Sequence, residues 1–203
     1  MTSPLRLTIA FLGLYAGLIA IQHGIFEILQ GGRAPDGLMF NAIGAPCQPE
    51  MVWHACFPAM TLIPNLLVTG IAAIVIGTTL LLWALFFIQR RYGSWILAIL
   101  SILLLLVGGG FVPVFIGMLA AIASCGLGRS LARPRLALLV PLWPWPLVLM
   151  ALWLPGSWLL GHFFSAAMLA ASGALFLVFD LGLPVLAAVS SATLFNSNRK
   201  RDN

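Results

Sequence analysis

Residues 92–127 read YGSWILAILSILLLLVGGGFVPVFIGMLAAIASCGL. Two apolar runs, Tyr92 to Val107 and Phe111 to Leu127, flank Gly108, Gly109 and Gly110, and Pro113 follows closely. Read as one long broken helix, the stretch gives a five-span protein. Read as two helices, it gives six. Each Gly inside a helix costs about 1 kcal/mol relative to Ala, and three in a row suit a turn. The stretch is therefore predicted to form two short spans joined by a Gly-Gly-Gly turn, with Gly108, Gly109, Gly110 and Pro113 as turn or hinge. Tyr92 to Val107 makes only ~24 Å of helix, short of a hydrocarbon core of about 30 Å. The turn is thus expected below the membrane surface, where irregular backbone is tolerated only when buried in protein or lining a wet cavity.

The rest of the chain supports a lipid setting. Of 203 residues, 62% are AVILMFWYC and 7% are charged, against roughly 25% charged in soluble domains. That composition excludes a soluble globule and fits an all-α, polytopic membrane helix bundle. Working outward, the other candidate spans are Leu7 to Leu29, Met60 to Ile88, Leu136 to Leu154 and Trp158 to about Phe195. The first is read as an uncleaved span, since no small-x-small cleavage site closes it. Pro141, Pro144 and Pro146 predict a kinked or extended start to the fifth. Trp53, Trp153 and Trp158 are expected near the outer interface and Trp95 near the inner one.

Positive-inside counting favours six spans. With N- and C-termini cytoplasmic, Arg6, Arg90, Arg91, Arg129, Arg133, Arg135, Arg199, Lys200 and Arg201 fall inside, leaving only Arg33 outside. Five spans strand more basic residues outside. The net charge of +5 therefore reports orientation in the cytoplasmic membrane and not a nucleic-acid partner. Residues 1–203 form a single integral membrane domain, with an extracytoplasmic loop over 30–58 and a cytoplasmic basic tail over 196–203.

Span one carries His23, Glu27 and Gln30 on one helical face, and Thr61, Asn65 and Thr69 repeat every four residues at the start of span two. Antiparallel packing would bring Glu27 near Thr61 and His23 near Asn65, forming an outward-facing polar pocket between spans 1 and 2. Ionisable groups in a membrane interior are functional candidates by default. Interhelical polar bonding is the plainer reading. The track Ala16, Ala20, Gly24 would let span one pack closely on a neighbour. His23, Glu27, His54 and His162 could together hold a metal, although no local ligand motif is present and no motif requires a cofactor. Glu50 and His54 repeat the four-residue carboxylate and imidazole spacing in the loop. Cys47 and Cys56, both in the outer loop, could form a disulfide, while Cys125 falls on the cytoplasmic edge. Asp180 is expected as a solvated interfacial carboxylate or paired with Arg90, Arg91 or Arg129. Arg33 and Asp36 belong to a turn.

No phosphate-binding loop, dinucleotide fingerprint, nucleophile elbow or haem attachment motif occurs in the sequence. Three function classes remain. The first is binding or transport of a small solute, cation or proton through the polar pocket, with the Gly108 to Pro113 turn as gate. The second is a structural or assembly subunit of a larger membrane complex or homo-oligomer. The third is an intramembrane enzyme on a lipid-soluble substrate, using a His/Glu pair or a His-bound metal. The balance favours solute handling over enzymatic chemistry.

Overall fold

The computed structural model describes residues 3–41, 57–127 and 134–201. Four helices are long and apolar enough to cross a membrane: Pro4–Leu29, Leu66–Phe87, Leu138–Phe163 and Ser172–Asn198. Two shorter apolar helices, Gly93–Leu106 and Phe111–Cys125, accompany them. By helix length and hydropathy the chain is a multi-pass membrane protein. Helix α1 (Pro4–Leu29) starts where the Ser3 hydroxyl accepts from the Arg6 N–H at 3.2 Å and Pro4 opens the first turn. Outward faces are apolar: Leu67, Ile71, Val75 and Leu82 of helix α2 (Leu66–Leu82) are all exposed. A soluble monomer seldom shows such a stripe, and lipid requires one.

Helices α3 (Gly93–Leu106) and α4 (Phe111–Ile122, continued by a π-helical turn over Ala123–Leu127) form an antiparallel hairpin. The Ser124 hydroxyl bonds that of Ser94 at 2.6 Å, and Gly117 lies against Ser101. Both pairs are equidistant in sequence from Gly109, so the chain reverses there, and the single broken helix of the five-span reading is overturned. Gly108 and Gly110 take φ of 88° and 80°, a region other residues enter only at a cost. The turn is buried as lipid demands, with the Gly108 N–H bonded to the Met60 carbonyl at 2.8 Å and the Gly109 N–H to that of Leu104 at 2.9 Å. Pro113 lies outside the turn, in the first helical turn of α4, where its missing N–H is not needed.

Span two begins later than expected. Strands β1 (Met39–Asn41) and β2 (Pro58–Met60) pair antiparallel, and Thr61 bridges to Val107. This ribbon caps the turn; β1 falls in the expected loop, while β2 takes in Met60, where span two was expected to begin. Helix α2 starts at Leu66, capped by the Asn65 side chain, which accepts from the Val68 N–H at 3.2 Å. Thr61 and Asn65 are thus not on a helical face. The α1–α2 interface is glycine-packed: a Cβ on Gly24 would stand 2.6 Å from the Gly70 carbonyl oxygen, and one on Gly17 2.7 Å from that of Gly77. Ala20 and Gly24 of the expected track do meet α2, and Gly13 and Gly17 extend it.

The later spans also shift. A 3-10 helix covers Pro134–Leu142, where an extended or kinked start was expected, and Trp143 Nε1 donates to the Thr8 hydroxyl at 3.1 Å. Helix α5 (Trp145–Phe163) runs straight through Pro155. A span can lose one backbone bond to Pro more cheaply than it can expose a whole turn to lipid. Trp158 and His162 therefore belong to the end of α5 and not to the start of the last span. After α6 (Ser165–Ala170) the chain returns through α7 (Ser172–Leu175), a π-helical stretch over Phe176–Gly182 and α8 (Leu183–Arg201). The expected basic tail over 196–203 continues this helix as far as Arg201. Within the π stretch the Leu183 N–H reaches back to the Val178 carbonyl. Pro184, with no N–H, stands where the ladder returns to α register.

Candidate functional site

The α1–α2 interface is too closely packed to hold the pocket expected between spans 1 and 2. The cavity lies on the other side of α1. It holds about 40 Å³, is partly open, and is lined by residues of α1, α4, α5 and the π stretch together with Phe57. Its polar lining comes from Tyr15, Gln22, His23, Ser157 and Asp180, and Trp153 and Trp158 wall it. The volume admits a few water molecules and falls far below the roughly 300–1,000 Å³ of pockets for organic ligands.

Each wall has a local cause. Tyr15, Gln22 and His23 share a face of α1 because positions seven and eight apart return to the same side. Asp180 sits inside the π stretch, a wider turn that re-aims side chains and recurs at functional sites. It is half-buried on the partly open cavity and, among the described residues, forms no ion pair with Arg90 or Arg91. Arg129 lies outside the described residues. Trp153 is 8% exposed and stacks on Phe179 with centroids 3.9 Å apart, so it is a buried wall and not part of an interfacial belt. Trp158 stacks on Phe26 at 5.8 Å, joining the far ends of α5 and α1.

His23 belongs to two surroundings. Its ring lines the cavity and also packs on the turn, where a Cβ on Gly110 would stand 2.6 Å from its Cε1. Glu27, one turn on, is 0% exposed and faces Gly108, whose added Cβ would come 2.4 Å from Oε1 and 2.5 Å from Thr69 Cγ2. Among the described residues, neither Glu27 oxygen nor His23 Nδ1 has a hydrogen-bond partner. Thr69 turns its methyl group to this spot, while its hydroxyl meets that of Thr61 at 2.9 Å. The Thr61 oxygen also accepts from the Ile63 N–H at 3.0 Å.

The structure thus brings together His23, Glu27, Thr61, Thr69 and the turn, with Glu27 and Thr69 both against Gly108 and the Thr61 hydroxyl on that of Thr69. It does not bring in Asn65, which caps α2, or Gln30, which ends α1 with its amide donating to the Phe26 carbonyl at 3.4 Å. The expected metal set is not assembled. His162 is exposed in the last turn of α5, and among the described residues no three His, Cys, Asp or Glu side chains converge. His54, Glu50, Trp53, Cys47 and Cys56 lie outside the described residues; Cys125 is free and exposed. Tyr15, Gln22 and Ser157 were not singled out in the sequence. The α1 polar stripe, extended backward from His23, reaches Tyr15 and its neighbour on that face Gln22, whereas no sequence signal sets Ser157 of α5 beside them.

Comparisons with protein-family models, with curated proteins and with solved structures find no match for this chain.

Proposed function

We infer that the chain is a six-span protein of the cytoplasmic membrane that binds and moves a small cation or a proton through the cavity beside α1. The convergence of Asp180, His23 and Tyr15 on one small volume carries this reading. Acid, imidazole and phenol groups are costly at membrane depth and mark ion or proton pathways. The small volume disfavours an organic substrate and so the intramembrane enzyme. Orientation follows the basic residues: Arg6, Arg90 and Arg91 lie at the cytoplasmic end, and the β ribbon and Arg33 lie outside. The cavity neighbours Phe57 and Trp158 at the ribbon end, which makes it outward-facing.

Reconstitution into liposomes of phosphatidylethanolamine and phosphatidylglycerol tests the reading, with a trapped pH dye and defined cation gradients. Wild-type protein is expected to conduct cations or protons above protein-free vesicles. Asp180→Asn should lower the flux tenfold or more at unchanged thermal stability. A variant with wild-type flux, or wild-type protein with none, overturns it.

A further inference from the structure

We propose that the moved ion is a proton and that Glu27 is a second proton-binding station, reached from the cavity through the His23 ring. The inference rests on the cavity reading above and adds both a site and a ligand to it. Three observations converge on Glu27. Its carboxyl group is fully covered, and among the described residues neither oxygen is hydrogen-bonded, so the group takes no part in interhelical bonding. Polar groups buried in this way are generally satisfied, and an exception calls for an explanation.

Beside it, His23 presents its ring to the cavity while Nδ1 is buried without a partner among the described residues. Side chains four apart on a helix lie about 5–6 Å apart at Cβ. Gly108 and Gly110 press on the two side chains with backbone alone, so no turn side chain intrudes.

The surroundings select the ligand. A dehydrated metal cation needs several oxygen ligands, six or more for calcium. Here Thr69 offers a methyl group, its hydroxyl is engaged with Thr61, and no further acid joins Glu27 among the described residues. The way from cavity to carboxyl also leads through an aromatic ring, which a metal cation cannot traverse. A proton can. The imidazole accepts a proton from a hydronium ion in the cavity at one nitrogen and, once a side-chain rotation or one bridging water closes the gap to Glu27, releases the proton on the other to the Glu27 carboxylate. Water, the opposite imidazole tautomer and a carboxylic acid result, and no other reactant is required. The titratable groups along this route are Asp180 and Tyr15 at the cavity, then His23, then Glu27. The turn, Thr61 and Thr69 contribute none.

The test uses the full chain in the same vesicles, with sodium, potassium or choline as the only bulk cation. Proton flux is expected in all three, and an absolute requirement for sodium or potassium would overturn the choice of ligand. Glu27→Gln keeps the shape of the neutral acid but cannot exchange a proton. It should lose flux at least tenfold with unchanged melting behaviour. Glu27→Asp, which withdraws the carboxyl group from Gly108, should conduct at an intermediate rate and serves if the Gln variant fails to fold. Wild-type flux in either variant, with Asp180→Asn inactive, rejects the Glu27 station and leaves the cavity reading standing. Wild-type flux in Asp180→Asn rejects the cavity reading itself.

Discussion

Glu27 lies in the last turn of α1, close to water by sequence position, yet the fold covers it completely. Gly108 and Thr69, remote in sequence, stand against its carboxyl group, and the turn is held there by the bonds of Val107 and Gly108 to Thr61 and Met60. Spacing on α1 singles out this carboxyl group; its burial is not legible in the sequence, because burial depends on pairing between segments without helical period. The hydroxyl pair beneath it gives an ordered prediction. Thr69→Val removes one partner of the Thr61 hydroxyl, together with a long 3.5 Å bond to the Ile63 carbonyl, and should cost about 1 kcal/mol. Thr61→Val also strands the Ile63 N–H and should cost about 2 kcal/mol. Reversible unfolding in mixed micelles measures both. A larger loss for Thr69→Val would show that the Ile63 bond contributes little.

At the scale of elements, the apolar runs revealed the helices and Gly108–Gly110 revealed the reversal between α3 and α4. Span ends were harder to read. Pro155 looked like a boundary and is the interior of α5, because lipid penalises exposed backbone more than water does. Met60 looked helical and belongs to β2, since a short apolar run does not distinguish strand from helix. The glycines separate these roles experimentally. Gly108→Ala forces a Cβ against Glu27 and Thr69 at φ 88° and should destabilise by roughly 2–4 kcal/mol. Gly156→Ala meets nothing within 4 Å in the same helix as Pro155 and should stabilise by up to about 1 kcal/mol. The two shifts in unfolding midpoint should have opposite signs. Equal effects would mean that the turn is not held against α1.

For the molecule as a whole, Trp143 against Thr8 joins the start of α5 to the start of α1, and the Arg6 guanidinium meets the Gln89 side chain after α2. One end of the bundle therefore carries Arg6, Arg90 and Arg91, and the other carries the ribbon and Arg33. The charge pattern in the sequence already separated these groups, while the placement of the cavity, on the far side of α1 from α2, required the packed structure. The arrangement makes a sharp statement about sides. On the six-span reading proposed above, three crossings, α2, α3 and α4, separate Asp36 from Cys125 and put the two on opposite sides. In a chain with Cys47, Cys56 and Cys125 replaced by Ser, Asp36→Cys should react with an impermeant maleimide in intact cells. Cys125, kept as the sole thiol, should react only after permeabilisation. The reverse pattern would invert the orientation and place the cavity mouth inside. Reaction of both from one side would require an even number of crossings between them, which the antiparallel hairpin about Gly109 does not allow.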